Sequence, residues 1–282
     1  MSEKTMKSFD ELTIVDDFMF GAVMSEPDNL RPLLEYILGI KISQLTYPER
    51  QKTIDLTYGA KGIRLDVYCE DDQHTIYSIE IQVADQHNLA TRIRYYHSMI
   101  DLNTISKGEN FNQLKKSYVI FICCFDPFGK KRYMYSFRNQ CQELPKLYLD
   151  DETYSIILNV NGTAGTVNKE LRSVLRYMAG QKPAKGYAQQ LDRAVKVVKS
   201  NRKWRRDYMT LEMKINYEKE IAVLANVVSV IRNKIGVVSD EMLMQIFDME
   251  KESFNNIVSM IKEHPDMSNS EIAEILVNTG IA

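Results

Sequence analysis

The sequence has no apolar run approaching the length of a membrane span, and Met1-Ser2-Glu3-Lys4-Thr5 opens it without a hydrophobic signal core. Those absences argue against a membrane protein and set the expectation of a cytoplasmic one. Cysteine is scarce, four in 282 residues, and two of the four, Cys123 and Cys124, are neighbours inside an apolar stretch. That is no disulfide framework, and a reduced compartment suits it. His87 and His97 have no partners at the spacing of a zinc site or a catalytic triad, so they read as surface or helix-start residues. Charge of one sign is missing too: a formal net charge of −2 gives no global attraction to nucleic acid, so any such contact must be local. Internal repeats and low-complexity tracts are absent. What is left, 44% hydrophobic and 26% charged residues, is an ordinary globular composition with room for one large domain and a smaller one.

Within that plain composition two carboxylates stand out. Asp66 is followed fourteen residues later by Glu80-Ile81-Gln82. Residues 62–69 and 76–83 alternate apolar with polar side chains, and Asp71-Asp72-Gln73-His74 between them reads as a turn, which predicts a hairpin. Centring the turn on Gln73 sets Asp66 opposite Glu80 and Arg64 opposite Gln82, with both acids on one polar face and their Cβ atoms roughly 5 Å apart. Two like charges that close persist if a cation, a shared proton or bulk water relieves them. Carboxylate oxygens, the Ile81 carbonyl and waters suit Mg²⁺, with Mn²⁺ or Ca²⁺ as substitutes, because these are hard, oxygen-seeking cations. The competing reading makes Asp66 and Glu80 solvated charges on the open face of an antiparallel sheet.

Context bears on the choice. Residues 17–38 carry apolar positions at helical spacing, interrupted near Ser25-Glu26-Pro27 where a second helix starts. Residues 44–47 and 53–58 read as short strands, the hairpin follows, and then a helix from about His87 to Ser106 with Leu89, Ile93, Tyr96 and Ile100 on its apolar face. The unbroken run Tyr118–Phe125 reads as a doubly covered central strand, ended by Asp126-Pro127-Phe128-Gly129. Residues 131–137 and 154–160 read as further strands and 169–178 as a helix.

This order, with an Asp and a Glu-x-Gln on the middle strands, resembles the PD-(D/E)XK nuclease superfamily, whose restriction-endonuclease-like αβββαβ core is an α/β fold with a mixed sheet. More narrowly, Arg64-Leu65-Asp66-Val67, Ile79-Glu80-Ile81-Gln82, Arg94-Tyr95-Tyr96, Lys107-Gly108-Glu109 and Tyr118-Val119-Ile120-Phe121-Ile122 together are similar to the Rpn family of recombination-promoting nucleases, also labelled putative transposases. The likeness runs from about Asp17 to Met209. It implies metal-dependent endonucleolytic cleavage of DNA in recombination, mobile-element traffic or phage defence, with Asp66 and Glu80 holding the cation. Gln82 stands where the superfamily's usual motif has lysine, as it commonly does in this family. A neutral amide cannot bring charge to the attacked phosphate, which leaves Arg64, Arg92 and Arg94 as the cationic candidates. Gln82 itself would orient the water. Asp17, in an Asp-x-x-Phe pattern completed by Phe20, matches an acidic residue of the family and would be a third, outer metal ligand; a carboxylate favoured by the helix dipole explains it equally. Gly21 stands where relatives often have lysine. The alternative is a catalytically silent DNA-binding or protein-interaction protein that keeps the fold.

A local basic patch does exist. From Arg193 to Arg206 lie Arg193, Lys196, Lys199, Arg202, Lys203, Arg205 and Arg206, with Trp204 and no acid. The segment reads as an amphipathic basic helix, able to follow DNA phosphates and stack Trp204 on a base, or else as a solvated helix face. The expected domains are 1–182, the nuclease module, and 183–282, a helical region comprising the basic helix at 189–209 and then a small bundle. Beyond Arg206 thirteen acidic residues face six basic ones, which favours a protein contact, docking or dimerisation, over a second DNA surface. A homodimer is expected because a single-site nuclease cuts both strands most simply as a pair.

Overall fold

In the computed structural model, residues 7–54 and 63–279 are described, without the side chains of 47–54 and 63–64. Strands β2 (Ile63–Asp71) and β3 (Ile76–Gln82) form the expected hairpin, paired from Val67↔Ile79 to Glu70↔Ile76 and so centred on Gln73. Asp71 sets this turn: its Oδ1 accepts the backbone N–H groups of Gln73 and Thr75 at 2.9 and 2.8 Å, and its Oδ2 accepts the Tyr77 hydroxyl at 2.7 Å. The side chain adds to the backbone's own turn bonds, the His74 N–H to the Asp71 carbonyl and the Asp71 N–H to the Thr75 carbonyl, both at 3.0 Å.

Outside β2 lies one strand rather than two, β1 (Leu45–Ile54). Its register shifts between Thr46 and Glu49, around Pro48. Proline cannot donate to a ladder, so it is tolerated on an edge strand at a bulge, and the strand continues past it. The part of the expected second strand beyond Ile54 lies outside the described residues.

From β3 the chain crosses through α3 (Leu89–Thr104) to β4 (Ser117–Cys123), parallel to β3. Next come β5 (Met134–Phe137) and β6 (Thr153–Asn159), and the sheet order is β1-β2-β3-β4-β6-β5, with β6 parallel to β4 and β5 antiparallel on the far edge. Ile93, Tyr96, Met99 and Ile100 of α3 pack on Val119, Phe121, Cys123 and Ile157. Those β4 positions alternate with Ile120 and Ile122, which are equally buried, so the sheet is covered on both faces. The second layer is made by α1 (Asp17–Met24) and α2 (Pro27–Leu38), which lie against β1 and β2, and by α4 (Lys169–Met178) and α5 (Tyr187–Ser200) packed on them. Every residue of β3 is buried. The open polar face is therefore not there.

The chain divides by its contacts between Arg205 and Arg206. The second unit contains most of α6 (Arg202–Lys234), then α7 (Asp240–Phe247), α8 (Lys251–Glu263) and α9 (Asn269–Thr279), around Val228, Ile231, Leu243, Phe254, Ile257, Ile272 and Leu276. Its last helix opens with a reciprocal capping box: the Ser268 N–H donates to Glu271 Oε2 at 2.8 Å, and the Glu271 N–H donates to Ser268 Oγ at 3.2 Å. Among the described residues no helix is long and apolar enough to cross a membrane.

His97 is neither a surface nor a helix-start residue. Partly buried on α3, its Nδ1 lies 2.9 Å from Ser117 Oγ and its Nε2 3.2 Å from Ser155 Oγ. Burial depresses its pKa from 6.5 to about 4, against a smaller opposing effect of Asp151. A base depressed on folding contributes stability that is complete above its ordinary pKa and is lost as the pH falls through that value toward the folded one. Wild-type protein should thus lose about 2–3 kcal/mol more than His97→Gln between pH 6.5 and 4 in urea unfolding. Parallel pH profiles for the two would refute the neutral, serine-bound imidazole.

Candidate active site

The β2–β3 ladder stops at Val67↔Ile79. Beyond it the acids themselves bridge the strands: the Asp66 N–H donates to Glu80 Oε1 at 3.1 Å, and the Ile81 N–H donates to Asp66 Oδ2 at 3.0 Å. A residue's N–H and C=O leave a strand on the same edge, so the Ile81 carbonyl also turns toward β2, into the fork where backbone pairing has ended. The neighbouring Gln82 carbonyl turns the other way and accepts the Cys124 N–H at 2.9 Å. Two carboxylates and one carbonyl thus converge on one gap.

Glu80 is only 2% exposed, and Asp66 is partly buried. Burial drives the Glu80 carboxyl well above the ordinary carboxylate range, and the Asp66 charge drives it further; the Asp66 N–H, Arg92 and the Tyr96 hydroxyl pull the other way. Bulk water does not reach the Glu80 member of this pair.

From α3 two side chains reach the pair. Arg92 Nη2 is 3.7 Å from Glu80 Oε2, and it also donates to the Tyr96 hydroxyl at 2.9 Å. That hydroxyl in turn donates to Glu80 Oε2 at 3.3 Å. Arg92 Nη1 donates to Gln82 Oε1 at 2.5 Å, while Gln82 Nε2 donates to the Ala84 carbonyl at 2.7 Å. The guanidinium carbon lies 5.1 Å from the centre of the Phe121 ring of β4, a cation–π contact. The amide of Gln82 is therefore engaged at both ends, and the cation that accompanies it comes from the helix. Tyr96 belongs to the site as well as to the core. Its position on the apolar stripe concealed this, although a tyrosine buried beside two acids needs a partner for its hydroxyl, which is the signal that was there to read. The same burial, with the Glu80 charge, pushes the Tyr96 pKa up to about 12, so it remains a donor.

Among the described side chains, Arg94 and Asp17 are not gathered here. Arg94, two residues from Arg92 and so about 200° round the helix, is exposed. The Arg64 side chain lies outside the described residues. Asp17 is an exposed residue opening α1, and among the described residues no group of three His, Cys, Asp or Glu side chains is placed to hold a metal ion.

The basic segment is two helices rather than one. Asn201 ends α5 in an extended conformation, and its Oδ1 accepts the Lys203 N–H at 2.8 Å, capping α6. Arg205 forks onto Asp10 at 2.7 and 2.9 Å and lies 4.9 Å over Phe9, and Trp204 packs edge-on against Phe18 at 6.2 Å. Lys196 pairs with Asp192 and Lys199 with the Asp10 carbonyl. Arg202, Lys203 and Arg206 are exposed.

A mixed sheet flanked by helices, with an Asp and a Glu-x-Gln meeting where its central hairpin forks, defines a PD-(D/E)XK nuclease fold. The family model described as PD-(D/E)XK nuclease family transposase matches residues 14–219, well over half of the chain. The chain belongs to that family. No curated protein and no solved structure matches it.

Proposed function

We propose that this protein is a divalent-metal-dependent endonuclease that hydrolyses DNA phosphodiester bonds, with Asp66, Glu80 and the Ile81 carbonyl as its metal ligands. The observation that carries the reading is the carboxylate pair at the fork, one member almost wholly buried and each oriented by a backbone N–H of the other strand. An all-oxygen donor set with two acids fits Mg²⁺, which keeps several waters and takes few protein ligands. When bound, such a cation lowers the pKa of a water and stabilises charge on the attacked phosphate. Arg92 supplies the positive charge that lysine brings elsewhere in the superfamily, donating to a nonbridging phosphate oxygen; Gln82 positions it, and Tyr96 holds the Glu80 carboxylate in line.

Supercoiled plasmid incubated with Mg²⁺, Mn²⁺ or EDTA tests this. Nicked and linear products should form only with metal, and Asp66→Ala and Glu80→Ala should each abolish them while far-UV circular dichroism stays unchanged. Equal cutting in all three proteins, or none in any, would instead favour a silent DNA-binding protein.

DNA contact outside the fork falls to Arg202, Lys203 and Arg206, whose side chains are exposed, more than to Arg205 and Trp204, which are held by Asp10 and Phe18. Replacing Arg202 and Lys203 together by Glu should weaken DNA binding across sequences and flatten its log–log salt dependence by about two. Trp204→Ala should instead lower stability by about 1–3 kcal/mol and leave the salt dependence unchanged. A loss of affinity without loss of stability in Trp204→Ala would return that ring to base stacking.

A further inference from the structure

On the face of the sheet that α3 covers, the cover is incomplete. Beyond β4 a slot of about 500 Å³ opens between Leu89, Ala90 and Ile93 of α3 on one side and Phe128 and Phe137 on the other, floored by Ile157. That volume lies inside the range of about 300–1,000 Å³ typical of small-molecule sites. The two phenylalanines are 41% and 48% exposed, their ring centroids are 5.4 Å apart, and Phe128 is braced edge-on by Tyr135 at 4.8 Å. Aromatic rings presented to solvent and held in place by their neighbours are surfaces for a flat ligand. Polar groups stand at the edges. Asp85 and His87 are at the mouth, joined by the His87 N–H to Asp85 Oδ1 bond at 2.8 Å, and Ser155 lines the wall.

The slot shares its elements with the carboxylate pair. Glu80, Phe121 and Ile157 lie in one register row across β3, β4 and β6, so Glu80 and Ile157 are two strand spacings, roughly 10 Å, apart. Arg92 and Ile93 are consecutive, one at the acids and one in the slot.

We infer that the slot receives an unstacked nucleobase from a nucleotide beside the scissile phosphate, and that the substrate class is DNA with an unpaired or easily extruded base. The inference rests on the nuclease reading of the neighbouring acids. A base turned out of the helix stacks on an aromatic wall and offers its hydrogen-bonding edge to carboxylate, imidazole or hydroxyl groups, the chemistry that Asp85, His87 and Ser155 supply here. A mismatched or unpaired base is extruded at the least expense, which makes the slot a filter for such sites.

Binding measured in EDTA, where nothing is cut, separates this from the nuclease reading. Two duplexes differing only in whether a single 2-aminopurine is paired with thymine or faces an abasic site are titrated with the full-length protein. Wild type should bind the unpaired duplex about tenfold or more tightly, with the 2-aminopurine emission changing as it stacks. Phe137→Ala removes a wall of the slot, and Ala90→Trp fills it from an exposed helix position; each should bring the two affinities together and leave the paired duplex unaffected. Equal affinities in wild type, or a preference that both variants retain, would overturn the slot. Preference without metal-dependent plasmid cutting would overturn the nuclease and leave the slot standing, and cutting without preference would do the reverse.

Discussion

Glu80→Gln should make the metal-free protein more stable and the nuclease inactive. Glu80 is buried, and its proton affinity is raised first by that burial and then by Asp66. For an acid whose folded-state pKa lies above its unfolded value, the stabilisation from holding the proton is complete below the unfolded pKa and is lost as the pH rises through the folded one. Ionising Glu80 in the metal-free fold puts a second negative charge beside Asp66 in a buried place, offset only in part by Arg92 at 3.7 Å. Glutamine keeps the shape and the acceptor for the Asp66 N–H and removes the charge. Metal-free Glu80→Gln should gain about 1–2 kcal/mol at pH 8, a few degrees in Tm, with the gain shrinking toward pH 4. Mg²⁺ should raise the Tm of wild type but not of the variant, since only a ligand that binds the folded state with its site intact stabilises it. Plasmid cutting should fall by about 10³-fold or more. Thermal scans with and without Mg²⁺ decide the matter, and a variant less stable than wild type in EDTA at pH 8 would mean that Glu80 is built for structure rather than for a cation.

The pairing of Asp66 with Glu80 was readable because strand periodicity and a turn centred on Gln73 leave one register, and a slip by one residue would have put both acids among the apolar side chains. The crossover through α3 to an unbroken apolar β4 was readable for a related reason: a strand apolar on both faces needs two layers of cover. What alternation along β2 and β3 could not supply was the identity of that cover. A polar stripe on a strand looks the same whether it faces water or a helix bearing Arg92 and Tyr96. Tyr96 was assigned to the core by its spacing, and it is in the core; that its hydroxyl also meets Glu80 depends on the crossing of α3 over β3, a tertiary fact. The break at Asn201 is different, because a Ser-Asn pair before a run of good helix formers is a local capping signal that the continuous basic charge masked.

Arg92→Ala should separate two properties that a general loss of structure would move together. The guanidinium is 3.7 Å from Glu80 Oε2 and bonded to Gln82 Oε1; on the proposed reading it would compete with a bound cation for the same carboxylate while holding the charge offered to phosphate. Removing it leaves Glu80 to the metal alone, and the apparent affinity for Mn²⁺, read by calorimetry, should rise severalfold. The rate at saturating metal should nonetheless fall about 10²–10³-fold, the usual loss when one donor aimed at developing charge is deleted. Arg92→Lys should recover little, because an ammonium cannot bridge Gln82 and the Tyr96 hydroxyl with a planar fork. Adding Gln82→Lys to Arg92→Ala moves the charge from the helix back to the strand position where the superfamily usually carries it. If Arg92 stands in for that lysine, the double variant should cut at least tenfold faster than Arg92→Ala, with the metal affinity falling back toward wild type. If instead the single variant loses rate and metal affinity in parallel, and Gln82→Lys restores neither, then Arg92 supports the fork mechanically and the transition-state charge comes from elsewhere.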